Sequence, residues 1–217
     1  MNSGDISKKI VELSGKYSPP QIFSDWVEMM AISIRNACHL QDALWRAWED
    51  RYIAIAGRYT SREVNALSDL GGMLVMALEE QIEDVLGNVF AEVGASSKET
   101  GQFFTPYHLS ALVADVRLGK MLDEWDQRSQ IRLLEPSCGA GGLVIATASA
   151  LEKRGLPYQR TLRVTAQDLD WRSVYMCYVQ LSLLGIDAIC VQGDSLAVKR
   201  PNRRSILETP AHMLGGI

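Results

Sequence analysis

Residues 135 to 142 read Glu135-Pro136-Ser137-Cys138-Gly139-Ala140-Gly141-Gly142, between the apolar run Ile131-Arg132-Leu133-Leu134 and the apolar pattern Leu143-Val144-Ile145-Ala146. The pattern predicts a strand, a glycine turn and a helix. Glycine suits such a turn because the chain must fold sharply and bring backbone N–H groups close to a ligand. Nucleotide sites place pyrophosphate on the helix N-terminus beyond such a turn. Glu135 argues against that ligand, since a carboxylate beside the turn repels phosphate and suits an ammonium or sulfonium. The charge pattern therefore favours S-adenosylmethionine over a dinucleotide.

The elements that must position this turn follow in β-α-β-α-β order. A strand is expected at 131–135, a helix from 142, a strand at Leu162-Arg163-Val164-Thr165-Ala166, a helix at about 171–184 and a strand at Ala188-Ile189-Cys190-Val191. Thr105-Pro106 reads as N-cap and first position of an earlier helix, Leu109 to Val116. The alternation predicts a parallel sheet with right-handed crossovers and a ligand beyond the carboxyl ends of its strands. Each expected strand end carries acid: Glu135, then Gln167-Asp168-Leu169-Asp170, then Gln192-Gly193-Asp194-Ser195. Asp168 or Asp170 fits the carboxylate that accepts from ribose hydroxyls. Asp194 suits an adenine amino group.

Ahead of about residue 95 the chain reads as helix throughout. Ser18-Pro19-Pro20 caps one stretch with Ile22, Trp26, Met29, Met30 and Ile34 at helical spacing. Leu40 to Ala56 forms a second, stopped at Gly57. Thr60-Ser61-Arg62-Glu63 matches a capping box opening a third, with Gly71-Gly72 as an expected break, and a further helix carries Leu78, Ile82, Val85, Leu86 and Phe90. Gly94 to Gly101 reads as a hinge. This divides the chain into a helical domain, 1–95, and an α/β domain, 96–217. Residues 1–95 hold 14 acids against 8 bases, and residues 96–217 hold 12 against 14, so the second domain is the side better suited to a polyanion; its most basic loop, Lys199-Arg200-Pro201-Asn202-Arg203-Arg204, could contact phosphates but reads first as a solvated loop. No apolar run is long enough for a membrane span, and the N-terminal residues show no secretory pattern, so the expected location is cytoplasmic. Cys38, Cys138, Cys177 and Cys190 form no Cys-x-x-Cys pair, and no metal site is expected.

Gly101-Gln102-Phe103-Phe104-Thr105-Pro106, Glu135 to Gly142, Gln167 to Asp170 and Gly193-Asp194-Ser195-Leu196 together resemble four consecutive motifs of the N6-adenine DNA methyltransferases, most closely the methylation subunit of type I restriction-modification systems. The resemblance covers about residues 99–196 and implies a Rossmann-like, S-adenosylmethionine-dependent methyltransferase sheet behind an all-helical N-terminal domain. It implies that Phe104 and Thr105 border the cofactor's methionine and adenine parts. Glu135, with Ser137, Gly139 and Gly141 in the same turn, would hold its amino-acid portion, Asp168 its ribose and Asp194 its adenine amine. DNA is the implied partner and DNA N6-adenine methylation the implied activity.

The family's catalytic motif, Asn/Asp-Pro-Pro-Tyr/Phe, is not found. Orienting an exocyclic amine toward a sulfonium needs polar acceptors, and a flipped base needs an aromatic stack. Ser18-Pro19-Pro20-Gln21 lacks the aromatic and reads as a helix cap, and Thr209-Pro210-Ala211-His212-Met213-Leu214 has no paired prolines. The expectation is therefore an incomplete sheet, truncated after its third strand, that is inactive alone. The strand of Glu135 would lie at an edge covered by the segment after Lys199, by the helical domain, by a second copy or by a partner subunit. Two alternatives stand beside this reading: a non-catalytic cofactor- or DNA-binding regulator or decoy of restriction-modification, and a helical interaction protein whose Rossmann-like half is scaffold.

Overall fold

The computed structural model describes residues 1–40, 42–94, 105–123, 125, 130–197 and 201–215. The chain divides into two compact units, Met1–Gln81 with Val85–Phe103, and Ile82–Asp84 with Phe104–Ile217. The expected hinge from Ala95 to Gly101 lies outside the described residues.

The first unit is helical: α1 (Ser3–Glu12), α2 (Pro19–Cys38), α3 (Trp45–Ala56), α4 (Ser61–Glu80) and α5 (Val85–Glu92). Local sequence sets several starts. Pro19 and Pro20 occupy the first positions of α2, where a missing N–H costs nothing. At α4, Thr60 accepts from the Glu63 N–H while Glu63 accepts from that of Thr60. The core gathers Ile6, Phe23, Trp26, Leu70 and Phe90, with the Phe23 ring 6.0 Å from Trp26 and 5.9 Å from Phe90. Gly71-Gly72 does not break α4. Each glycine costs about 1 kcal/mol in a helix, but Leu67, Leu70, Leu74 and Leu78 are buried along one stripe, each contributing roughly 1.5–3 kcal/mol. The break falls instead at Gln81, whose backbone is extended. Nor does α3 begin at Leu40: Asp42 accepts from the Leu44 N–H and pairs with Arg35, holding a turn ahead of Trp45.

The second unit contains α6 (Tyr107–Leu122), β1 (Ile131–Glu135), α7 (Gly142–Lys153), the single turn α8 (Tyr158–Thr161), β2 (Leu162–Asp168), α9 (Trp171–Leu183), β3 (Asp187–Gln192), β4 (Ile206–Glu208) and the short α10 (Pro210–Met213). The sheet order is β1-β2-β3-β4. The first three strands are parallel, with Leu133 opposite Val164 and Val164 opposite Ala188. Their sequential order and right-handed crossovers put α7 and α9 on one face, where Leu162, Val164, Ala166, Ala188 and Cys190 are buried. The other face carries a groove of about 540 Å³ lined by Arg132, Leu134, Arg163, Thr165, Ile189 and His212 among others.

Two expectations are corrected here. The sheet does not stop at three strands, because β4 pairs antiparallel with β3, Cys190 opposite Leu207; an antiparallel partner needs no helical crossover, so three residues suffice. Consequently the segment after Lys199 flanks β3, while β1 stands at the opposite end of the sheet. Thr209 fastens this arrangement: its hydroxyl donates to Ile186 O at 2.8 Å and accepts from the Ala188 N–H at 3.0 Å. The α6 cap is also shifted by one residue. Pro106 is its N-cap, with the Leu109 and Ser110 N–H groups bonded to the Pro106 carbonyl, and Thr105 precedes it.

Candidate functional site at the strand ends

The glycine turn is left-handed where the sequence supplies glycine. Gly139 has φ +53° and Gly141 φ +96°, conformations that a Cβ disfavours. At Gly141 a Cβ would also lie 3.1 Å from Cys177 Sγ. The turn is tied to β2 at two places: the Cys138 N–H donates to Gln167 O at 2.8 Å, and the Gly139 N–H donates to Asp168 Oδ2 at 2.9 Å. The other Asp168 oxygen accepts from the Asp170 N–H at 3.0 Å. One carboxylate therefore orders both its own loop and the glycine turn, and each oxygen keeps a lone pair for a ligand hydroxyl.

Glu135, at the end of β1, accepts from the Ser137 N–H at 3.1 Å. Burial pushes its carboxyl pKa up and the nearby charge of Asp168 adds to this, against the opposing Ser137 N–H. Among the described residues no Lys or Arg ion-pairs with Glu135, Asp168 or Asp194. Two half-buried acids at adjacent strand ends thus form a region of uncompensated negative charge, which suits a cationic ligand group. The third strand end joins the site through its backbone, the Gly193 N–H donating to Asp168 O at 2.9 Å. Asp194, two residues past β3, is exposed and accepts from the Leu196 N–H at 2.9 Å.

The geometry separates the two ribose candidates. Asp170 is the N-cap of α9, accepting from the Arg172 N–H, and it also pairs with Arg172 Nε at 3.5 Å. Its carboxylate is committed to the helix start, which leaves Asp168 as the acid presented at the strand end. Hydrogen bonds thus bring Glu135, Ser137, Gly139 and Asp168 into one constellation, with Asp194 at its margin. Thr105 stands exposed before the α6 cap, and Phe104 lies outside the described residues, as do Lys199 and Arg200 of the basic loop. Arg203 and Arg204 form a short 3-10 turn capped by Asn202. Two buried polar residues carry no motif: Gln180 donates from Nε2 to Asp84 Oδ1 and to Ala140 O, each at 2.9 Å. The readable signal was an amide inside the apolar stretch Val174 to Leu181.

Three parallel strands joined by helices, with a glycine turn and acids at their carboxyl ends, define a Rossmann-like unit. The chain belongs to the N-6 DNA methylase family, whose model matches residues 81–209. No curated protein matches it. Among solved structures it is similar to the type I restriction-modification system methyltransferase subunit from Streptococcus thermophilus, at 16% identity and a TM-score of 0.46, covering 88% of this chain and 43% of that one. The chain therefore spans less than half the length of that subunit. Among the described residues no cluster of His, Cys, Asp and Glu could hold a metal ion, and no helix is long and apolar enough to cross a membrane.

Proposed function

We propose that the α/β unit binds S-adenosylmethionine at the ends of β1, β2 and β3 and serves DNA N6-adenine methylation, with DNA as partner and the cytoplasm as its place of action. The observation that carries this is the linked pair of acids: Asp168 holds the Gly139 N–H while Glu135, free of any ion pair among the described residues, faces the same turn. In this reading Glu135, Ser137, Gly139 and Gly141 hold the cofactor's amino-acid end. Asp168 accepts from the ribose hydroxyls, Asp194 accepts from the adenine amine, and Phe104 and Thr105 border the methionine and adenine parts. A helical domain over residues 1–95, apart from Ile82–Asp84, accompanies it.

S-adenosylmethionine supplies the methyl group on a sulfonium. What this chain's residues supply is position and negative charge. Methyl transfer further requires acceptors for the adenine amine and an aromatic stack for the flipped base, and the sequence has no Asn/Asp-Pro-Pro-aromatic run. The two candidate substitutes serve the fold: Pro19 and Pro20 start α2, and Thr209 clamps β3 and caps α10. We infer that residues 1–217 bind the cofactor but do not methylate by themselves, the missing groups coming from outside them: a further segment, a second copy or a partner subunit.

Calorimetry with S-adenosylmethionine and labelled methyl transfer to unmethylated duplex DNA test this. Heat of binding without transfer is expected. Absence of binding sinks the cofactor reading and leaves a scaffold, while transfer by the isolated chain sinks the inference of inactivity.

A further inference from the structure

Gln180 is fully buried in α9 among Val174, Met176, Cys177, Tyr178, Val179 and Leu181. An amide in such a place is costly unless its donors are satisfied. Its Nε2 donates to two acceptors at 2.9 Å, the carbonyl of Ala140 inside the glycine turn and Oδ1 of Asp84. Asp84 is itself only 5% exposed, and belongs with Ile82 and Glu83 to the α/β unit although Gln81 and Val85 on either side do not. Its other oxygen, Oδ2, lies 3.0 Å from where a Cβ on Gly142 would stand. A side chain at the first position of α7 would crowd that carboxylate.

Two consequences follow from this placement. A carboxylate against the first turn of α7 meets the positive end of the helix, where unpaired N–H groups favour negative charge. That is the location at which a dinucleotide site receives pyrophosphate, so Asp84 closes this helix end to phosphate. Meanwhile one amide links the middle of α9, the glycine turn and Asp84 through two hydrogen bonds, so the turn is gripped from below by Gln180 and from the sheet side by Asp168.

Building on the cofactor reading above, we propose that Asp84 and Gln180 are positioning residues of the methyl-donor site, fixing the Ala140 carbonyl and with it the left-handed turn that Gly139 and Gly141 adopt. Both act through the turn rather than by touching the ligand. The family match begins at residue 81 and so includes Asp84.

The test uses the whole chain with Gln180→Met and Asp84→Asn, read by calorimetry with S-adenosylhomocysteine and by hydrogen exchange. Gln180→Met keeps the volume and removes both hydrogen bonds. It is expected to weaken binding about tenfold and to speed exchange of amides 138–145 by a similar factor, with β2 and β3 amides unchanged. Asp84→Asn keeps an acceptor for Gln180 but loses the charge at α7. It is expected to weaken binding about threefold and to speed exchange in the first turn of α7 alone. Unchanged exchange at the turn in a folded variant overturns the proposal, as does uniform acceleration across the unit, which would make the residues ordinary core. Should Gln180→Met fail to fold, the Asp84→Asn comparison decides by the same criteria. A wild-type chain that takes up no cofactor removes the cofactor reading, while the exchange data still judge the positioning role.

Discussion

Asp25 in the helical unit and Asp168 in the α/β unit are both carboxylates held by several hydrogen bonds, and their partners differ in kind. Asp25 is buried and receives Arg58 on both oxygens at 2.9 and 3.1 Å, the Tyr59 hydroxyl at 2.8 Å and Gln21 Nε2 at 3.0 Å. Its charge is neutralised by a cation and its acceptor capacity is used. Among the described residues Asp168 receives two backbone N–H groups and no cation. The first arrangement joins helices and leaves nothing for a ligand; the second orders a loop and leaves both charge and lone pairs exposed at a strand end. A carboxylate's partners, more than its burial, thus separate a structural acid from one kept ready for binding.

The sharpest way to break this comparison is to truncate both acids. Asp168→Ala or Glu135→Ala is expected to lower affinity for S-adenosylhomocysteine roughly 10- to 150-fold by calorimetry, the loss of a charge-assisted contact of roughly 1.5–3 kcal/mol, Glu135→Ala with little change in Tm. Asp25→Ala should do the reverse, destabilising the helical unit by roughly 2–3 kcal/mol in a denaturant titration, because Arg58 and Tyr59 lose a buried partner. Equal effects of the two truncations on affinity would erase the distinction.

A smaller effect is expected at Thr209. Thr209→Val leaves the Ala188 N–H and the Ile186 carbonyl short of a partner, which should cost about 1–3 kcal/mol of stability and leave cofactor affinity intact.

The pH dependence sharpens the electrostatic half of the comparison. Burial and Asp168 hold the Glu135 pKa above its ordinary 4.5. The ionised carboxylate therefore costs folding stability as pH rises from 4.5 through the raised value. A bound ammonium or sulfonium favours that same ionised form, so affinity should climb over this interval and level off above it. Glu135→Gln should flatten the curve; a profile identical to wild type would remove Glu135 from the ligand's surroundings.

Smallest is Gly72→Ala. The position is helical and open, with nothing within 4 Å of a Cβ, so roughly 0.5–1 kcal/mol of stabilisation is expected in thermal unfolding.

Much of the α/β unit was legible because its signals are local: apolar runs of strand length, a glycine turn and acids where the strands end. The cap at Thr60 and the prolines of α2 were readable for the same reason. What escaped depended on partners distant in sequence. Strand β4 is three residues long and exists because β3 offers it an antiparallel edge 21 residues away at Ala188 and Thr209. Gly71-Gly72 looked like a break because the strength of the leucine stripe depends on what packs against it. Asp168 and Asp170 were indistinguishable by spacing, and only the capping bond to Arg172 assigns Asp170 to α9. Asp84 and Gln180, 96 residues apart, meet at a turn to which neither is adjacent in the chain.

The two bonds that fasten the glycine turn, Cys138 N–H to Gln167 O and Gly139 N–H to Asp168, also govern when the site comes into being. They join residues 29 apart, so no fragment ending before β2 can form the turn as it stands in the sheet. Closing such a loop is a non-local step. In a refolding experiment, capacity to hold a ligand at this turn should therefore appear with the β1–β2 pairing itself, at one rate and without a lag, making ligand capture a clock for sheet formation.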